Sequence, residues 1–323
     1  MDTGDAAAME DTAKLDKLNI GLMLAALGVA YLIPFQLLLL SYAFLGPAHY
    51  LTQISWMHDR NYFTKSQTGP WVLMMLTFLT AAVPALSTVT LGAALAVALM
   101  MVIISERPYI KGYRSERFFV QALLVLSLYV AYDFAQFFSG TFRTMVVLAM
   151  PTTMHIYVFT GAFMLAGALK RPGPAAYAAL AFFIACPVLL FALPPMERMS
   201  FENGLTGGFA FFKEQFGMLM KALGVPNTPV GHASLFGFLS WAYTYHYLNW
   251  FSKTKLIGWH EISKRRAGVI IALYAAAVGL YLYDFSLGFN ALLALSLLHV
   301  LLELPLDIRT IYGIGAHIRA KLA

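Results

Sequence analysis

Seven ionisable side chains fall within the long apolar runs of this 323-residue chain, and five of them are histidines: His49, His155, His232, His246 and His299, with Asp133 and Glu303. Ionisable groups at membrane depth are costly and mark functional positions. Neutral imidazole is the commonest biological metal ligand, and imidazole with carboxylate suits iron, zinc or copper. His299 and Glu303 stand four residues apart, so a helix presents both on one face. His49 follows Gly46-Pro47-Ala48, and His246 sits five residues before the end of an apolar run. The expectation is a metal site, with iron as one or two ions, held by His246, His299, Glu303 and His49. His155 joins it if the site reaches deeper into the bilayer. His58 and His260, in Trp56-Met57-His58-Asp59-Arg60 and Trp259-His260-Glu261, could complete the shell of a second ion, with Asp59 and Glu261 orienting imidazoles. His232 and His246 are 14 residues apart, about 21 Å along a helix, and cannot share one ion. The competing reading of each histidine near a helix end is a contact with backbone or lipid headgroups.

The apolar runs must position these groups. Hydrophobic residues make up 60% of the chain and charged residues only 12%, against about 25% charged in soluble domains. That composition excludes a soluble fold. A span needs about 20 apolar residues, and by that length nine candidates are legible: 20–46 (carrying Pro34), 71–84, 88–104, 118–138, 144–169, 175–193, 233–251, 267–283 and 287–304, the last stopped by Pro305. The stretch 71–104 is too long for one span, and Val83-Pro84-Ala85 offers a turn. Alternating through nine spans places 16 of the 22 basic residues on one side, which the positive-inside rule makes cytoplasmic. The expected fold is an all-α polytopic membrane bundle of about nine transmembrane helices, its N-terminus outside and its C-terminus cytoplasmic.

Residues 1–19 carry five acids and no basic n-region, so they read as an acidic disordered tail rather than a signal peptide. Residues 20–305 form the transmembrane domain and 306–323 a basic cytoplasmic tail. In the outer loop 195–228, Phe209, Phe212, Phe216, Leu219, Met220 and Leu223 recur at helical spacing, as in an amphipathic helix lying on the interface. The formal charge of +6 marks membrane sidedness and not a nucleic-acid partner. A single cysteine, Cys186, excludes a disulfide framework. No HExxH, histidine box, phosphate-binding glycine loop or nucleophile elbow is present.

Tyr243, His246, Tyr247 and Trp250 lie at i, i+3, i+4 and i+7, a polar-aromatic face able to line a pocket for a flat apolar ligand. The default reading of such aromatics is an interfacial belt. With histidines placed in spans and the stretch Tyr245-His246-Tyr247-Leu248-Asn249-Trp250, the chain resembles the bacterial integral-membrane β-carotene oxygenases of the Brp/Blh type. That resemblance implies histidine-held iron and cleavage of a carotenoid double bond with O₂, in the bacterial inner membrane. It also implies two closely spaced histidines in a late helix, where this chain has His299 and Glu303. The leading expectation is an iron oxygenase or oxidoreductase acting on a lipid-soluble carotenoid, isoprenoid or acyl substrate. The alternatives are an accessory subunit or assembly factor with a membrane-protein partner, and a proton-coupled transporter using Asp133, His155 and Glu303.

Overall fold

A computed structural model describes residues 3–60, 68–83, 86–105, 154–195, 220–221, 224–253 and 262–322. Span 118–138 with Asp133, most of the amphipathic segment of the outer loop, and His260 with Glu261 lie outside the described residues. The fold is all-helical, with no strand among the described residues. The helices are α1 (Thr3–Leu32), α2 (Pro34–Leu40), a π-helical turn (Ser41–Leu45), α3 (Gly46–Asp59), α4 (Thr68–Ala82), α5 (Ser87–Ser105), α6 (Thr160–Lys170), α7 (Pro174–Ala192), α8 (Pro229–Phe251), α9 (Lys264–Tyr283) and α10 (Phe285–Leu322). Among the described residues, four segments are both long and apolar enough to cross a membrane: Asp11–Leu32, Pro174–Ala192, Lys264–Tyr283 and Leu287–Leu322. The helices pack as two compact units, one drawn from residues 1–49, 148–267 and 310–323, the other from 50–147 and 268–309.

Unit 1 is organised around α8. Thr228 caps it by accepting the Gly231 N–H at 3.1 Å, and Pro229 occupies the first turn, where its missing N–H costs nothing. Every residue from Ala233 to Tyr247 is buried. A helix buried on all faces is normally uniformly apolar; this one carries Thr244, Tyr245, His246 and Tyr247, so its polar groups must be answered by neighbours. The Trp241 indole N–H donates to the Met23 carbonyl at 3.1 Å, and the Tyr245 hydroxyl donates to Asn19 Oδ1 at 3.4 Å. Asn19 in turn donates to Ser252 Oγ at 3.4 Å, just past the end of α8. Rising numbers on α8 therefore meet falling numbers on α1, and the two helices are antiparallel.

The chain after Pro34 runs the other way. Phe35 packs edge-on against Phe236, Ser41 Oγ meets Thr244 Oγ1 at 2.6 Å, and His49 reaches His246 and Trp250. These contacts climb both helices together. Ile33-Pro34 is thus a reversal between two antiparallel segments, and not a kink within the one span expected over 20–46. The physical reason is that Pro34 has no N–H to continue α1, while its fixed φ suits the first position of a new helix.

The start of the chain departs from expectation in the same region. Residues 3–19, read as a disordered tail, are continuous with α1. Ala6-Ala7-Ala8-Met9-Glu10 and Lys14-Leu15-Asp16-Lys17-Leu18 are rich in strong helix formers, and acids near a helix N-terminus favour the macrodipole. The early part of α1 also has a partner, since Arg171 donates to Thr12 Oγ1 at 3.1 Å. At the opposite end the Tyr31 hydroxyl donates to the Leu189 carbonyl at 3.0 Å, so α1 and α7 run parallel.

Unit 2 contains the turn expected within 71–104. Helices α4 and α5 pack as a hairpin, tied by Thr80 and Thr90, whose hydroxyls are 2.8 Å apart. Met57, Leu73, Ala94, Val97, Ala98 and Met101 form a core with Leu298, Leu301, Leu302 and Leu304 of α10. Asp284 separates α9 from α10 and accepts the Leu287 N–H at 2.7 Å. Pro305, expected to stop the ninth span, lies inside α10, which continues to Leu322. Proline removes a single helical hydrogen bond, and packing on both sides of the break holds the helix together.

Candidate metal centre

Two helical irregularities deliver the histidines of unit 1. Ser41–Leu45 is π-helical, with the Gly46 N–H bonded to the Ser41 carbonyl five residues back. Residues 154–159, leading into α6, are π-helical as well. Such turns are rare and recur at functional sites. The first precedes His49 in the opening turn of α3, and the second carries His155. Both imidazoles converge on His246 of α8. His49, His155 and His246 are 1%, 1% and 8% exposed, and ligating nitrogens from the three lie within 4.8 Å of one another. Ring centroids are 4.7 Å apart for His49–His246 and 5.0 Å for His155–His246.

The central contact is between His246 Nε2 and His49 Nε2, at 3.0 Å. Two nitrogens this close need either a proton between them or a shared cation. Metal–imidazole bonds of about 2.0–2.1 Å put cis ligands at 90° about 2.9 Å apart and tetrahedral ligands about 3.3 Å apart. The observed separation falls between these values. The other nitrogen of His246, Nδ1, is 2.7 Å from Thr160 Oγ1, itself buried. With Nδ1–H donating to Thr160, the Nε2 lone pair is left for an ion, the arrangement found around metal-bound histidines.

Aromatic rings enclose this cluster. Tyr247 and Trp250 both contact His49, at centroid distances of 5.0 and 5.6 Å. Tyr243 sits one step further along, 5.8 Å from Tyr247 and 6.1 Å from Tyr42. The face read from the spacing 243, 246, 247 and 250 therefore turns toward the histidines. Thr160 was missed by sequence reasoning, because a lone threonine in an apolar run carries no signal until its partner is known.

In unit 2, His299, Glu303 and Asp307 line α10 at successive four-residue steps and are 1%, 4% and 0% exposed. His299 Nδ1 is 2.9 Å from the Ser296 carbonyl and must donate to it, which leaves Nε2 as the ring's acceptor nitrogen. That nitrogen is 3.9 Å from Glu303 Oε2. Glu303 and Asp307 each offer a carboxylate oxygen within 4.8 Å of the other's. Tyr50 stacks on His299 with centroids 4.6 Å apart. Asp307 was missed because Pro305 had been read as the end of the helix; the i, i+4, i+8 series was its available signal.

No protein-family model matches the chain, and no curated protein or solved structure is similar to it. The chemistry must therefore be read from the residues. His58 lies exposed at the end of α3, with Nδ1 3.5 Å from Asp59 Oδ1, and belongs to neither cluster. Its side chain is 69% exposed and stands outside the buried interior. His232 is exposed and pairs with Asn227 Oδ1 at 2.8 Å.

Proposed function

We propose that the protein is a membrane-embedded metalloprotein in which His49, His155 and His246 hold iron, and that it acts as an oxygenase or related oxidoreductase on a lipid-soluble carotenoid, isoprenoid or acyl substrate. The observation that carries the reading is the 3.0 Å approach of two buried imidazole nitrogens, one of them on a ring oriented by Thr160. Bound there by the three imidazoles, iron would supply a Lewis-acidic, redox-active centre. The chain's own part is to hold the imidazoles in one tautomer, to exclude water with a buried shell, and to present Tyr243, Tyr247 and Trp250 to an apolar molecule. The resemblance to membrane β-carotene oxygenases supports iron and O₂ over zinc.

Metal analysis with an optical spectrum of detergent-purified protein tests this. One or two irons per chain are expected, with the unit 1 ion lost on His49→Ala. Folded protein that binds no metal would sink the reading. The specific observation favouring the alternative, an accessory subunit, is that none of the apolar α9 is buried, leaving it to lipid or a membrane-protein partner. Fixed-stoichiometry co-purification that tolerates histidine substitution would return that alternative.

The reversal at Pro34 alters the proposed topology. It adds a crossing, giving ten, and puts the start of α1 on the side of Arg171 and Ser252. Lys14 and Lys17 then join the cytoplasmic set, which brings 18 of the 22 basic residues to one side. Both termini are cytoplasmic in this arrangement. In a Cys186→Ala background, Asp11→Cys and Arg171→Cys are expected to react with an impermeant maleimide only after cells are opened. Labelling of Asp11→Cys alone in intact cells contradicts the reversal.

A further inference from the structure

We infer that Ser41 and Thr244 are positioning residues for the unit 1 histidines: their paired hydroxyls pin the first π-helical turn to α8 and so hold His49 against His246. The inference rests on the proposed reading of that cluster as an ion site. Ser41 Oγ and Thr244 Oγ1 are 2.6 Å apart, shorter than most hydroxyl–hydroxyl hydrogen bonds. Both residues are buried. Removing either oxygen would strip the other of its partner where no water replaces it, which makes such a pair costly to break. A serine inside a helix can turn its hydroxyl back onto a carbonyl of its own preceding turn; Ser41 reaches across to α8.

The place of the pair separates it from general adhesion between helices. Ser41 is the first residue of the π-helical turn, and the His49–His246 contact lies beyond its last residue, Leu45. The turn is therefore held on α8 from both sides, by hydroxyls before it and by imidazoles after it. Its width follows from Pro47, which has no N–H for the Ala43 carbonyl and whose ring crowds that oxygen. Proline explains why the turn is wide, but not the direction in which the chain leaves it. A tether at its start supplies that direction. The second π-helical stretch has the same device. Thr160 follows directly after residue 159, and its hydroxyl meets His246 Nδ1. Each π segment that serves a histidine is thus tied to α8 by a hydroxyl at its edge, one at Thr244 and one at His246.

Two measurements on full-length protein in detergent test the role. The first is affinity for iron(II) at the unit 1 cluster. Thr244→Val keeps the branched shape and removes the oxygen, and is expected to weaken binding about tenfold, the lower end of what losing an outer partner of a ligand costs. Ser41→Ala is expected to match it. Thr244→Ser keeps a hydroxyl and is expected to stay within a few-fold of wild type. The second measurement is hydrogen exchange in metal-stripped protein, which needs no ion. Thr244→Val is expected to speed exchange across residues 41–49 and leave α8 unchanged, and saturating iron(II) is expected to restore the wild-type rate there. Valine and serine variants that bind iron alike in monodisperse protein overturn the positioning role, as does exchange that rises evenly along α8. Wild-type protein that binds no iron overturns the proposed function and this role with it, whereas unchanged affinity in Thr244→Val overturns this role alone.

Discussion

Replacing His246 by alanine is expected to empty the unit 1 cluster, because His246 contacts both of the other imidazoles and Thr160. The measurement is metal per chain after dialysis against a weak chelator, with loss of one ion as the expected result. Thr160 provides the graded comparison. Thr160→Val keeps the shape of the side chain and removes the oxygen that orients His246, and losing such an outer partner typically costs about 10–100-fold in metal affinity. Thr160→Ser keeps the oxygen and should stay within a few-fold of wild type. If valine and serine behave alike, the 2.7 Å contact is packing only, and the tautomer of His246 is set by something else.

Gly288→Ala is expected to produce the largest loss of stability of any single methyl group added to unit 2. A Cβ at Gly288 would run into the Tyr281 backbone, both its Cα and its amide nitrogen, across the turn at Asp284. Side-chain clashes can be relieved by rotation, but a clash with backbone requires the two helices to part. Overpacking of this kind costs about 1–3 kcal/mol and occasionally more, and the upper end is expected here. The matched control is Gly279→Ala on α9, where nothing lies within 4 Å of the added methyl. Alanine is favoured over glycine in a helix interior by about 1 kcal/mol, so this variant should be neutral or stabilising. Thermal unfolding of the two proteins in the same detergent decides the matter, and equal melting temperatures would refute the packing argument.

Several parts of this arrangement were legible in the residues. Low charge and long apolar runs gave an all-helical fold with helices apolar enough to cross a membrane, Val83-Pro84 marked the α4–α5 turn, and the 243–246–247–250 spacing put the aromatic face beside the histidine. The i,i+4 pair His299 and Glu303 was visible for the same reason: regular helices keep their periodicity, so spacing reads as geometry. Reading failed where the helix departs from 3.6 residues per turn or where proline was given one fixed meaning. His155 was tied to the site only if the site reached deeper; it lies in a π-helical stretch, 154–159, whose register α-helical spacing does not give. Pro34 was carried inside a single span and is a reversal, whereas Pro305 was read as a stop and is an interior residue of α10. Local chemistry is the same in both cases. What differs is packing: α8 meets the segments on either side of Pro34 in opposite directions, and Leu301, Leu302 and Leu304 hold α10 in place around Pro305.

A π turn is an α-helical turn with one residue too many. Ser41–Leu45 and residues 154–159 therefore each record what amounts to a one-residue insertion into an ordinary α-helix. Deleting a residue from either would restore the regular ladder and swing everything beyond it by about 100°, carrying one imidazole away from the others. An ordinary helical bundle and one that gathers three histidines thus differ here by two single-residue changes of register.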